Sequence, residues 1–262
     1  MVVEPHNRVV VINADWGRLL VVCLVLTAGA GAVLWSGGLA SPRPVVRAAL
    51  RAAVQLAVVS AVIVAVLASL PLTAAFLLLM AVVATGTSAA RAKTGRRGWW
   101  VAVAILAGTG PTIAVLLVSG LVPVEGIALV PVGGILVGGA MTATTLSVRR
   151  ALDTLRDRHG EYEAALALGF TEPVAVRELV RRPAAEALLP ALDQTRTVGL
   201  VTLPGAFVGM LLGGAPVWQA GALQLVVLLG LLLVESTAIA VVELVARGLV
   251  RRGSQEGDVR LT

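Results

Sequence analysis

The chain reads as an all-α, polytopic integral membrane protein with about seven transmembrane helices and a long cytoplasmic helical loop. Three observations predict this class. First, 58% of the 262 residues are hydrophobic and only 14% charged, with a mean hydropathy of +0.93. A soluble fold of this length needs more charge to cover its surface. Second, the apolar residues come in long uninterrupted runs, close to the roughly 20 residues that a helix needs to cross hydrocarbon. Third, the basic residues gather between alternate runs instead of on one face.

The runs fall at 19–39, 50–70, 72–90, 99–121, 127–147, 198–213 and 220–246. Residues 1–18 are mixed and polar and are expected to form an extracytoplasmic tail. The first run is too long for the apolar region of a signal peptide, so no cleavable leader is expected. The second and third runs touch, with only Ser69-Leu70-Pro71 between them. One very long helix is the alternative there. Pro71 disfavours helix at Leu70 and lacks a backbone donor, which predicts a tight hairpin. Trp35, Trp99, Trp100 and Trp218 fall at expected membrane interfaces. Residues 253–262 show no periodic pattern and are expected to form a disordered cytoplasmic tail. No internal repeat is evident.

Orientation follows from Lys and Arg. With the amino terminus outside, the inner segments hold Arg43, Arg47 and Arg51, then Arg91, Lys93, Arg96 and Arg97. The long loop adds Arg149, Arg150, Arg156, Arg158, Arg177, Arg181, Arg182 and Arg196, and the tail adds Arg247, Arg251, Arg252 and Arg260. These are 19 of the 21 basic residues, leaving Arg8 and Arg18 outside. The positive-inside rule therefore predicts a cytoplasmic carboxyl terminus in the cell membrane. A net charge of +6 would suit a nucleic-acid binder only if clustered on one face, and no nucleic-acid partner is expected. Cys23 is the single cysteine, so no intrachain disulfide can form.

One insert, 148–196, is long enough to have structure of its own. Val148, Leu152 and Leu155 keep helical spacing among charges, so the fifth span is expected to run on into the cytosol. Gly160 is expected to interrupt it. A short helix follows over 161–169, with Gly169 placed to end it. Thr171 can cap the next helix, with Glu172 and Pro173 in its first turn. Pro183 and Pro190 are expected to break the return path. Within the short helix, Glu163, Ala164 and Ala165 followed by Gly169 have the spacing E-A-A-x-x-x-G. Small alanines let a helix seat deeply in a partner's groove, a glycine ends it sharply, and an acidic residue can meet basic groups. A solvated helical hairpin is the plainer alternative.

Several membrane residues stand out. Pro204-Gly205 in the sixth span argues for a kink or broken helix. Gly205, Gly209 and Gly213 form small-xxx-small steps. The fifth span is similar, with Pro131, several glycines, Met141, Thr142, Thr144 and Thr145. Glu235 lies deep in the seventh span, where a carboxylate is a functional hypothesis by default. Gln224, eleven residues earlier, falls on the same helical face. Gln55 in the second span is a weaker candidate for the path. Glu243 is close enough to the inner end to snorkel. Met141 and Met210 could offer thioethers to a metal, although methionine in such a core is mostly packing. No cofactor is expected, and the metal ligands are unknown.

The run Gly139-Ala140-Met141-Thr142-Ala143-Thr144-Thr145-Leu146-Ser147, the Glu163 motif and Thr195-Arg196-Thr197-Val198-Gly199-Leu200-Val201-Thr202-Leu203-Pro204-Gly205 together carry a recognisable pattern. With Gly209, Gly213, Pro216, Ala220 and Gln224, they resemble the FetB-like family of ABC transporter permeases, linked to iron export in bacteria and related to plant aluminium-tolerance permeases. The resemblance covers nearly the whole chain and is densest from Gly138 to Gln224. It implies a coupling-helix role for Glu163, Ala164, Ala165 and Gly169. It also implies a homodimer, a separate ATPase partner and export of iron or another metal ion. Where the family usually reads Met-Met-Thr-Gly after Pro-Gly, this chain has Ala206-Phe207-Val208-Gly209.

The chain has no G-x-x-x-x-G-K-[ST] phosphate loop, so ATP hydrolysis is expected from the partner. An organic solute such as a nucleotide sugar is the alternative cargo. An intramembrane enzyme would need a clustered catalytic set, and His6 and His159 both lie outside the runs. A secondary transporter should show inverted repeats.

Overall fold

The computed structural model describes residues 15–92 and 98–249. Residues 1–14 of the expected 1–18 tail and the whole of the 253–262 tail, with Lys93, Arg96 and Arg97, lie outside the described residues. The helices are α1 (Trp16–Ser36), α2 (Arg43–Ala68), α3 (Leu70–Ala92), α4 (Trp99–Val118), α5 (Gly126–Asp157), α6 (His159–Ala167), α7 (Glu172–Ala185), α8 (Leu189–Thr197), α9 (Gly205–Leu212) and α10 (Val217–Leu249), with a 3-10 turn at Glu186–Leu188. Six of them, α1 to α5 and α10, are long and apolar enough to cross a membrane. No strand occurs among the described residues. The protein is an all-α, multi-pass membrane protein.

The chain divides into two compact units, one up to Ala65 and one from Val66. The first holds α1 and most of α2. Helix α1 begins at Trp16, three residues inside the expected polar tail, because Asp15 caps it. The Gly17 N–H donates to Asp15 Oδ1 at 3.1 Å, and the carboxylate also meets Arg18. Nearly every side chain of α1 and α2 is exposed. Helices that are apolar all round match lipid or protein neighbours, not water.

In the second unit, α2 ends at Ala68 and α3 starts at Leu70, so Ser69 separates two helices as the proline predicts. The Thr73 hydroxyl, buried there, donates to the Val66 carbonyl at 2.7 Å. The core lies between α3, α4, α5 and α10. Glycines set its closest approaches: a Cβ on Gly108 of α4 would lie 2.9 Å from the Val234 backbone of α10.

Neighbouring positions fix the helix directions. Leu77 and Met80 of α3 face Gly133 and Gly134 of α5, and the hydroxyls of Thr145 of α5 and Ser88 of α3 are hydrogen-bonded at 3.0 Å. Helices α3 and α5 are therefore parallel. Leu136 of α5 meets Gly230 of α10 and Gly139 meets Glu235, while Ala151 and Leu155 share a core with Ala246. Helices α5 and α10 are therefore parallel too. In contrast, α4 runs against α10, with Gly108 at Val234 and Thr112 at Gly230.

Parallel α5 and α10 force the intervening chain to return along their length. The run at 198–213 does this, but not as the continuous helix its apolar length suggests. Residues 198–204 are turns, and only the eight residues of α9 are helical. Two causes act together. Gly199 takes φ +81°, a left-handed conformation that glycine adopts readily, and Pro204 supplies no backbone donor. The insert at 148–196 also differs in detail. Gly160 sits inside α6, and the interruption falls one residue before that helix, at Arg158, whose backbone leaves the helical region. Pro183 does not break α7, because it lies only one turn before the 3-10 turn that ends it. Pro190 occupies the first turn of α8, where a missing N–H is tolerated.

Candidate translocation path and coupling helix

Helix α10 carries two buried polar side chains of the candidate path, Gln224 and Glu235. Glu235 is only 6% exposed and points at α5, where a Cβ on Gly139 would lie 2.8 Å from its Oε1. The absence of a side chain at Gly139 thus makes room for the carboxylate. Gln224 is also 6% exposed, and its Oε1 has no hydrogen-bond partner. Eleven residues at 100° each return to nearly the same face, which stacks the two groups about 16 Å apart along α10.

Gln224 faces the broken return segment. It lines a cavity of about 200 Å³ with Val198, Gly199, Leu203, Pro204 and Phe207. The turn there is held by its own backbone: the Gly199 N–H donates to the Thr202 carbonyl at 2.9 Å, and the Val201 N–H to Thr197 at 2.9 Å. Leu200 projects outward, 91% exposed. The break shares this cavity with Gly221, Gln224, Leu225 and Leu228 of α10, which lie about 6–16 Å along that helix from its first residue. Pro204 and Gly205 form the junction into α9, none of whose residues is buried.

A larger cavity of about 840 Å³ opens between the first turns of α5, helix α9 and the first turns of α10. Ile127, Pro131, Ile135, Met210 and Leu223 line it, with Trp218 and Gln219 at the start of α10. None of its lining residues is titratable.

The remaining path candidates sit elsewhere. Thr144 is fully buried and donates to the Ala140 carbonyl of its own helix at 2.7 Å. The Thr145 hydroxyl donates to the Met141 carbonyl at 2.7 Å and lies 3.0 Å from the Ser88 hydroxyl, which can donate to it. Met141 packs, partly buried, against the main core. Gln55 is exposed on α2, in the first unit. Among the described residues, no three His, Cys, Asp or Glu side chains group where they could hold a metal ion.

Helix α6 carries the E-A-A spacing. Glu163 and Ala164 are exposed and Ala165 is half-buried. His159 Nε2 approaches Glu163 Oε1 at 3.2 Å. Arg158 and Glu161 form an ion pair over the first turn, and the hydrogen bond from Arg158 holds the Glu161 carboxyl below its usual range. Gly169 ends the helix with φ +90°, leaving Leu168 78% exposed beside exposed Phe170. Thr171 occupies the N-cap position of α7 without a side-chain capping bond. On the inner side, Tyr162 is buried in a second core with Ala151 and Leu155 of α5, Val176 and Val180 of α7, and Ala246 of α10. Burial, and then the charge of Glu172, push its phenol up. Arg177 of α7 reaches Glu243 of α10 at 3.4 Å. The sequence offers no sign of this pair, whose members are far apart along the chain.

Residues 18–250 match the model of a single family. The chain belongs to the uncharacterised protein family UPF0014. Three relatives are informative. The UPF0014 membrane protein STAR2 of Oryza sativa subsp. japonica is 41% identical over 152 residues, 58% of this chain and 53% of the relative. Protein ALUMINUM SENSITIVE 3 of Arabidopsis thaliana is 40% identical over 152 residues, 58% of this chain and 56% of the relative. The probable iron export permease protein FetB of Escherichia coli (strain K12) is 33% identical over 125 residues, 48% of each chain. The matches thus span about half the length of these relatives. No solved structure gives a significant match.

Proposed function

We propose that this UPF0014 protein is the membrane-spanning permease subunit of an ABC transporter, working as a homodimer with a separate ATPase and exporting iron or another metal ion. The observation that carries the reading is helix α6. Its Glu163–Ala164 face and the Leu168–Phe170 corner are exposed, while Tyr162 anchors it on the extended ends of α5 and α10. A partner pressing on α6 would thereby act on both helices that meet at Glu235 and Gly139. The name of the relative FetB supports a metal cargo. The 19 inner basic residues support an outside amino terminus and an inside carboxyl terminus in the cell membrane. The irregular stretch at 198–204 supports a second copy, since non-helical backbone at membrane depth is tolerated only against protein or a water-filled cavity.

A second reading, an ABC permease for an organic solute such as a nucleotide sugar, is favoured by the 840 Å³ cavity, whose lining includes no charged residue. A cavity of that kind fits an uncharged or ring-bearing group better than a bare cation.

The coupling helix is the place to test the shared part of both readings. Gly169→Leu would place a bulky side chain in a left-handed conformation at the exposed corner. The variant is expected to reach the membrane yet lose co-purification with the ATPase and the dependence of transport on ATP. Normal partner binding and transport by Gly169→Leu would make α6 an ordinary solvated helix.

A further inference from the structure

Helix α6 meets α7 and α5, and α7 in turn packs on α10. Helix α7 is therefore positioned to carry a displacement of α6 to the helix that bears Gln224 and Glu235. Most of that contact is apolar: Ala175, Val176, Leu179, Val180 and Ala184 of α7 join Ala246 of α10 in one cluster. Apolar contacts of this kind can slide, since small shear between packed helices is a common form of conformational change. A directional interaction pins the register.

We propose that Arg177 and Glu243 form a strut that fixes α7 to α10, so that a movement of the coupling helix is delivered to the membrane path; the inference rests on the permease reading above. The guanidinium Nε lies 3.4 Å from Glu243 Oε1. The carboxylate is the more buried partner, with 19% of its side chain exposed against 45% for Arg177. A half-buried pair is screened less by salt than a surface pair, and it is held in place by the core around it. The position on α10 matters as well. Glu243 lies eight residues beyond Glu235, about 12 Å along the same rigid helix, so a pull at one is felt at the other. By contrast, Arg150 pairs with Glu186 of the 3-10 turn, and Arg158 with Glu161 within one turn.

The test uses the full-length permease reconstituted with its ATPase, in a Cys23→Ala background. Ala222→Cys, in the lining of the outer cavity, reports conformation through its labelling rate with a membrane-impermeant maleimide, with and without ATP and vanadate. The parent is expected to change its labelling rate by about tenfold on trapping, within the usual range of allosteric coupling. Arg177→Glu should abolish that change while leaving co-purification with the ATPase and ATP hydrolysis in place. The charge swap Arg177→Glu with Glu243→Arg should restore it, which a merely destabilising change would not do. If Arg177→Glu misfolds, Arg177→Met keeps most of the apolar stem and should give the same loss. An unchanged response in a folded Arg177 variant, or no recovery in a folded swap, overturns the strut while the permease reading stands. A parent that binds no ATPase, or shows no response to ATP, overturns the permease reading and the strut with it.

Discussion

A carboxylate placed within a membrane helix costs on the order of 3 kcal/mol even on a lenient insertion scale, so Glu235 asks for an explanation in function or in bonding. The structure gives it room beside Gly139, and none of the hydrogen bonds or ion pairs described above uses it. That favours function over bonding and leads to an unusual expectation. Glu235→Leu should raise the thermal stability of the purified protein by up to about 2 kcal/mol, since a buried charge is exchanged for an apolar group, while transport is lost. Glu235→Gln should keep the fold and also lose transport of a cation. The checks are melting curves in detergent and vesicle transport at matched protein levels. A Leu variant that is less stable than the parent would make Glu235 a structural residue. The eleven-residue spacing to Gln224 was legible in the sequence, because helical periodicity alone puts the two on one face. The close fit of Glu235 against Gly139 was not, because it depends on which glycine of α5 meets α10.

The spans that cross as simple helices were legible from composition and length, and the break at Ser69 from Pro71. The return segment was legible only in part. Pro204-Gly205 announced a disruption, but the turn begins earlier, at Gly199, because that position needs a left-handed backbone. Similarly, Gly160 looked like a helix breaker and instead lies within α6. A glycine lowers helix stability by only about 1 kcal/mol, which tertiary packing of Tyr162 and its neighbours can outweigh. Gly199 and Gly205 of the return segment should therefore respond differently to one methyl group. Gly199→Ala forces alanine into the left-handed region and should cost about 1–2 kcal/mol, with loss of transport. Gly205→Ala has nothing within 4 Å of the new Cβ and should behave as wild type. Equal melting temperatures for the two variants would mean that the turn at Gly199 is not a fixed element.

At the scale of the molecule, α3, α5 and α10 point one way and α4 the other, which agrees with an alternating path through the membrane. With the amino terminus outside, single cysteines in a Cys23→Ala background near Glu163 and Gln255 should be shielded from an impermeant thiol reagent in intact cells, and those near Glu125 and Ala215 should be labelled. Labelling near Glu163 in intact cells would invert the orientation. Helix α5 sets one further dimension. Its 32 residues make a rod about 48 Å long, against roughly 30 Å of hydrocarbon. The rod carries the insert on its overhang, which stands about 18 Å beyond the acyl chains. Under the permease reading, the height at which the ATPase rides above the bilayer is thus ruled by one uninterrupted helix, and membrane thickness becomes part of the machine's gearing.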